Sequence, residues 1–112
     1  MLSKITEYTD YCLICGKPAE IHHIFKGIKH RTLCTEDGLV IPLCREHHQG
    51  NMSVHSKREM NVLCEMLGQA IYERNYLISQ MALPFESEDE AFDRLSRECR
   101  EAFRQRYQKS YL

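Results

Sequence analysis

At 112 residues with a formal charge of −1, the chain suits one domain with a modest core, and its overall charge gives no general attraction to nucleic acid or acidic surfaces. It contains no run of eighteen apolar residues, which argues against a membrane-spanning helix. Six cysteines would suit a secreted disulfide framework, but several alternate with histidines and the Met1–Glu7 stretch lacks the apolar core of a secretory leader. Reduced thiols and a cytoplasmic location are therefore expected.

In chain order, residues 1–11 form an arm with little signal of their own. Cys12-Leu13-Ile14-Cys15-Gly16-Lys17-Pro18 reads as a zinc knuckle, because the two-residue spacing lets both thiolates face one ion and Gly16 relaxes the backbone behind them. A redox Cys-x2-Cys is the rival reading, but no βαβ pattern surrounds it. Ala19–Phe25 is rich in β-branched and aromatic residues and reads as a strand, with His22 and His23 on opposite faces. Residues Lys26–Asp37 read as a loop, basic at Lys26, Lys29, His30 and Arg31 and closed by the turn-like Glu36-Asp37-Gly38. Leu39–Leu43 is a second strand, with Pro42 near its end or on an edge. A short helix is expected over Cys44–His48, stopped at Gly50-Asn51.

Two longer helices follow, near 57–81 and 88–108. The first opens on a capping box, Ser56-Lys57-Arg58-Glu59, and carries Met60, Leu63, Leu67, Ala70, Ile71, Ile78 and Met81 at helical spacing up to a stop before Pro84. Gly68 weakens it by about 1 kcal/mol relative to alanine. The second opens on Ser87-Glu88-Asp89-Glu90 and carries the clean stripe Ala91, Phe92, Leu95, Cys99, Ala102, Phe103 and Tyr107. The helices should pack antiparallel, stripes facing each other and the N-terminal unit, and could also serve a homodimer. Cys64 and Cys99 read as packing residues, and Cys34 has no assigned role. Arg94, Arg97, Arg100, Arg104, Arg106 and Lys109 form a second basic group. It could hold phosphates, or it could be a solvated face balanced by Asp93, Glu98 and Glu101.

The chemistry concentrates in residues 12–55. Cys12 and Cys15, with Cys44 and His47 as a second pair, complete a tetrahedral set for structural zinc, closed to substrate because the protein supplies all four ligands. Such an ion could contribute on the order of 10 kcal/mol to folding. His22, His23, His48 and His55 are left over beside it. A divalent ion held by two or three histidines keeps positions open for phosphate oxygens and water, and a neutral imidazole can accept the proton of an attacking water.

The stretches Cys12-x2-Cys15, His22-His23-Ile24 and Gly38-Leu39-Val40-Ile41-Pro42-Leu43-Cys44-x2-His47-His48 resemble the HNH (His-Asn-His) endonucleases with the ββα-metal fold. The stretch His22-His23-Ile24-Phe25-Lys26-Gly27, with the downstream Leu43-Cys44-x2-His47-His48, is also similar to small phage and prophage proteins of that kind. For residues 12–55 the resemblance implies a zinc-stapled ββα-metal unit; with the C-terminal helical hairpin read over 56–112, the expected fold is α+β in a single domain spanning 1–112. It implies metal-dependent hydrolysis of phosphodiester bonds in DNA, leaving 5′-phosphate and 3′-hydroxyl ends. His22 then corresponds to a catalytic-metal ligand, His23 to the general base, His48 to a second metal ligand and His55 to a third. The catalytic ion would be Mg2+, Mn2+, Ni2+ or Zn2+, beside the structural Zn2+. This sequence departs from the family pattern in two places. His22 stands where most members carry aspartate, and the middle asparagine of the motif is missing. Asp37 lies near that asparagine's place and is expected to orient His23 by accepting its other N–H. The alternative is a catalytically inert zinc module that binds DNA or a protein, which would leave His22, His23 and His48 without a role.

Overall fold

A computed structural model of the chain, describing residues 2–80 and 86–112, shows an α+β arrangement of two strands and four helices. The strands β1 (Glu20–His23) and β2 (Val40–Leu43) pair antiparallel, with Glu20 opposite Leu43, Ile21 opposite Pro42, His22 opposite Ile41 and His23 opposite Val40. Pro42 fits because a two-stranded sheet has only edges. Its carbonyl accepts from Leu13 N–H at 3.1 Å and so ties the cysteine knuckle to the strand. β1 is shorter than Ala19–Phe25. Ile24 and Phe25 leave the sheet for the core, where both are fully buried.

Residues expected as a loop form a helix instead, α1 (Ile28–Asp37). It lacks an apolar stripe, and Cys34 is the one residue it buries. What fixes it is its end: Gly38 takes a left-handed conformation (φ 70°), and Leu39 N–H donates to the Cys34 carbonyl at 2.9 Å. Cys34, unassigned from sequence, is thus a packing residue under β1, its sulfur accepting from Phe25 N–H at 3.4 Å. The N-terminal arm is also tied down. Ser3 Oγ donates to the Val40 carbonyl at 2.7 Å and Lys4 N–H to the Gly38 carbonyl at 2.8 Å.

The short α2 (Arg45–Gln49) follows Cys44 directly, and α3 (Arg58–Ser79) and α4 (Glu88–Tyr107) complete the chain. Ser87 caps α4 as its box requires, accepting from Glu90 N–H at 3.1 Å. Ser56 does not cap α3. Its hydroxyl donates to the carbonyls of Gly50 and Asn51, at 2.7 and 3.0 Å, and the helix starts after Lys57 without a side-chain cap. Met81 and Pro84 lie outside the described residues. The two helices run antiparallel, as expected: Gln69 reaches Ser110, Tyr72 meets Phe103, and Glu73 pairs with Arg100.

The α4 stripe holds, with Ala91, Leu95, Cys99, Phe103 and Tyr107 buried, although Phe92 is exposed. The α3 stripe holds only in part, with Met60 and Ile71 half-buried against the core. Leu63, Leu67 and Ile78 face solvent, while the buried positions are Gly68, Gln69 and Glu73. The reason is a polar seam. Buried Gln69 accepts from Tyr111 N–H and donates to Ser110 and Glu73, and Glu73 in turn receives the Arg100 guanidinium at 3.1 Å. Matched polar partners let this face go inside where periodicity counted only apolar residues. Phe25, Phe103, Tyr107 and Tyr111 then lock the helices onto the sheet, with ring centroids 4.7–4.9 Å apart for Phe25 against Tyr107 and Tyr111.

Gly68 sits where α3 meets the Ile24–Phe25 segment that follows β1. A Cβ there would lie 2.7 Å from Ile24 Cγ2 and 3.1 Å from the Phe25 ring. Gly68→Ala should therefore lower the melting temperature despite alanine's gain of roughly 1 kcal/mol in helix propensity, because overpacking costs about 1–3 kcal/mol. A thermal melt of this variant checks the point, and an unchanged or raised melting temperature would show that the helix can back away freely.

Candidate metal centres

Among the described residues, two ligand clusters adjoin the sheet. In the first, Cys12, Cys15, Cys44 and His47 bring one ligand atom each to within 4.8 Å of one another. The knuckle forms because Gly16, at φ 76°, turns the chain so that its N–H donates to the Cys12 carbonyl at 2.9 Å. The other pair is set by helix geometry: Cys44 N-caps α2, and His47 follows three residues on, on the same face. Cys15 Sγ lies 3.5 Å from Cys44 Sγ, and His47 Nδ1 lies 3.2 Å from Cys44 Sγ and 3.6 Å from Cys12 Sγ. Tetrahedral zinc with bonds of about 2.3 Å to sulfur and 2.0 Å to nitrogen would give edges of roughly 3.5–3.7 Å.

The electrostatics fit a cation. Burial would raise the Cys12 thiol, but hydrogen bonds from the backbone amides of Cys44, Cys15 and Ile14 outweigh it and bring it down to about 6. Hydrogen bonds to the sulfurs of Cys12 and Cys44 push His47 up, as expected for an imidazole between two incipient thiolates. A metal ion would take over the role of that proton. This Cys3His cluster could hold a metal ion such as zinc, with protein filling every position.

The second cluster is His22, His48 and His55, whose ligand nitrogens also lie within 4.8 Å of one another. Each comes from a different element. His22 stands on β1, 2 % exposed. His48 follows His47 on α2 and so points away from the first cluster. His55 is carried by the loop behind α2, which buried Ser53 and Val54 and the Ser56 hydroxyl stitch to Gly50, Asn51 and His47. Ring centroids are 5.1 Å apart for His22–His48, 5.3 Å for His22–His55 and 4.9 Å for His48–His55.

Three observations support a ligand site here. His22 Nε2 is buried without a hydrogen-bond partner, a costly state for a polar atom unless something binds it. Its imidazole is pushed down to about 3, by burial first and then by His48 and His55, so it stays neutral and able to ligate. Finally, Glu20 accepts from His48 Nδ1–H at 2.7 Å, which leaves Nε2 of that ring to face the cluster. A carboxylate behind a ligating histidine fixes its tautomer and raises its basicity. Glu20 was missed from sequence, although strand alternation places it on the His22 face two residues earlier.

No known family model, curated protein or solved structure matches the chain. The reading of the site therefore rests on its own geometry.

His23 lies on the other face of β1 from His22, and both open onto one cavity of about 500 Å³. Lys26, Arg31, Gln49, His48 and His55 also line it. Burial, then the charges of Arg31 and His48, lower the His23 pKa below its ordinary value. Asp37 does not orient His23. Its Oδ2 accepts from Arg106 Nε at 2.6 Å and Tyr107 Oη at 2.8 Å, so it joins α1 to α4 instead. The contact to His23 Nε2 comes from Thr35 Oγ1, at 3.1 Å. Nothing in the sequence flagged Thr35, because α1 was read as a loop.

Of the first basic group, His30 packs edge-on against Tyr107, while Lys26 and Arg31 reach the cavity. The second group is largely neutralised: Arg94 pairs with Glu86 and Glu98, Arg100 with Glu73, Arg104 with Glu101, and Arg106 with Glu36 and Asp37. The balanced-face alternative thus describes α4 better than a phosphate patch.

The depressed His22 gives a pH prediction for protein freed of weakly held metal. The unfolded chain protonates this residue near 6.5 and the folded chain only near 3, so stability should fall as pH drops through that window and be independent of His22 above it. His22→Asn should flatten part of that slope in a series of thermal melts. Equal slopes would assign the acid sensitivity to other groups.

Proposed function

We propose that the chain is a metal-dependent endonuclease of the HNH type that hydrolyses phosphodiester bonds in DNA. The observation carrying this reading is the His22–His48–His55 cluster, with its partnerless buried Nε2, opening into the same basic-lined cavity as His23. Two strands followed by a short helix, stapled by a Cys3His cluster, are compatible with the ββα-metal unit.

In this reading His22, His48 and His55 hold a divalent ion through three nitrogens. When bound, that ion would supply Lewis-acid stabilisation of negative charge on phosphate and leaving oxygen. The rest falls to the chain. His23, kept neutral by burial and by Arg31, accepts the proton of the attacking water. Lys26 and Arg31 attract and orient the phosphate, since among the described residues no acidic one lines that cavity. Glu20 holds His48 in register. The Cys3His cluster takes no chemical part and fixes α2 against the knuckle.

Incubation with supercoiled plasmid tests the proposal. Nicked circles should accumulate with magnesium, manganese, nickel or zinc, cease with chelator, and carry 5′-phosphate ends. DNA binding without nicking under all four ions would favour the inert zinc module.

A further inference from the structure

We infer that Thr35 is a positioning residue that holds His23 in the Nε2–H tautomer, making Nδ1 the nitrogen that accepts a proton. This deepens the endonuclease reading and rests on it for the purpose of that proton transfer. The argument is a count of hydrogens. Thr35 Oγ1 lies 3.1 Å from the Arg31 carbonyl oxygen, one helical turn back on α1, and 3.1 Å from His23 Nε2. A hydroxyl has one proton and two lone pairs. A carbonyl can only accept, so the Thr35 proton goes to Arg31, and toward His23 the same oxygen must accept. His23 Nε2 therefore carries hydrogen, and in the neutral ring Nδ1 carries the lone pair.

The arrangement is fixed from both sides. Back-bonding to a carbonyl in the preceding turn is a regular habit of threonine in helices and sets its rotamer. The nearby carboxylate that could compete, Asp37, is engaged by Arg106 and Tyr107. His23 itself is anchored by β1, whose register places it opposite Val40. A neutral hydroxyl orients the ring without placing a negative charge beside it. In a chain that lacks the motif asparagine, a threonine on α1 thus performs the orienting task, and α1 acquires a purpose beyond connecting the strands.

Nitrogen-15 NMR of histidine-labelled, zinc-replete protein reads the tautomer directly. Wild type should show His23 with a protonated Nε2 and an unprotonated Nδ1. Thr35→Val keeps the shape but removes the acceptor. It should mix the tautomers and slow plasmid nicking by roughly 10–100-fold, the usual effect of losing a group that orients a functional imidazole. Thr35→Ser should restore both, which a merely structural loss would not do. Thr35 is exposed, so zinc content and melting behaviour should match wild type in both variants. A protonated Nδ1 in wild type, or an unchanged tautomer in Thr35→Val, would overturn the inference. Wild type that shows the Nε2–H form yet never nicks DNA would instead overturn the endonuclease reading and leave the Thr35 contact established.

Discussion

Cys44→Ser should leave the chain without a cooperative fold. Cys44 follows β2, N-caps α2 and contributes one of four ligands to the Cys3His cluster, so its loss opens the closed site. A zinc ion held by such a set supplies on the order of 10 kcal/mol, which is comparable to the whole stability of about 5–15 kcal/mol expected for a domain of this size. Cys64→Ser is the matched control. Cys64 is half-buried against the core and touches neither cluster, so the cost there should be about 1–2 kcal/mol. Far-UV circular dichroism and elemental analysis together decide the matter. One zinc per folded wild-type chain and an unfolded Cys44→Ser protein are expected. A metal-free chain that melts cooperatively would end the structural-zinc reading.

The second large effect separates proton transfer from metal binding. His23→Ala should keep the fold, the zinc and DNA affinity while losing nicking by roughly 10²–10⁴-fold, the usual contribution of a general base. His48→Ala should also lose activity, but by weakening the ion, so its rate should climb again as divalent metal is raised. The distinction follows from placement: His48 shares the cluster with His22 and His55, whereas His23 lies across the strand on Thr35. Wild-type nicking should rise with pH through the His23 pKa and level off above it, because only the neutral ring accepts a proton. Since burial and Arg31 lower that pKa, half-maximal rate should fall below 6.5, and a nearby cation should move it lower still. Superimposable metal titrations of the two variants would contradict the division of roles.

Much of this was legible in the residues, and the exceptions have a common cause. The Cys3His cluster could be read because its spacing is local: a two-residue gap in a knuckle and one turn of helix bring each pair together whatever the rest does. The strands were legible from their β-branched and aromatic residues, and α4 because its apolar residues repeat at the helical period. α1 was not, since it buries one cysteine and is held by its C-terminal glycine and by contacts made elsewhere in the fold. That single miss concealed Thr35 and sent Asp37 to the wrong partner. The packing face of α3 was only partly legible, for the opposite reason. Its leucines are periodic but exposed, and the face that packs uses Gly68, Gln69 and Glu73, whose partners Ser110, Tyr111 and Arg100 lie far along the chain. Long-range polar complementarity leaves no local trace.

The most direct measurement is native mass spectrometry during a titration with zinc or manganese. Wild type should hold one ion through mild chelation, at the Cys3His cluster, and take up a second, weaker ion at the three histidines. His48→Ala should keep the first and lose the second over the same concentration range. A wild-type chain that never exceeds one ion, or a second ion that survives His48→Ala undiminished, would contradict a metal centre at His22, His48 and His55.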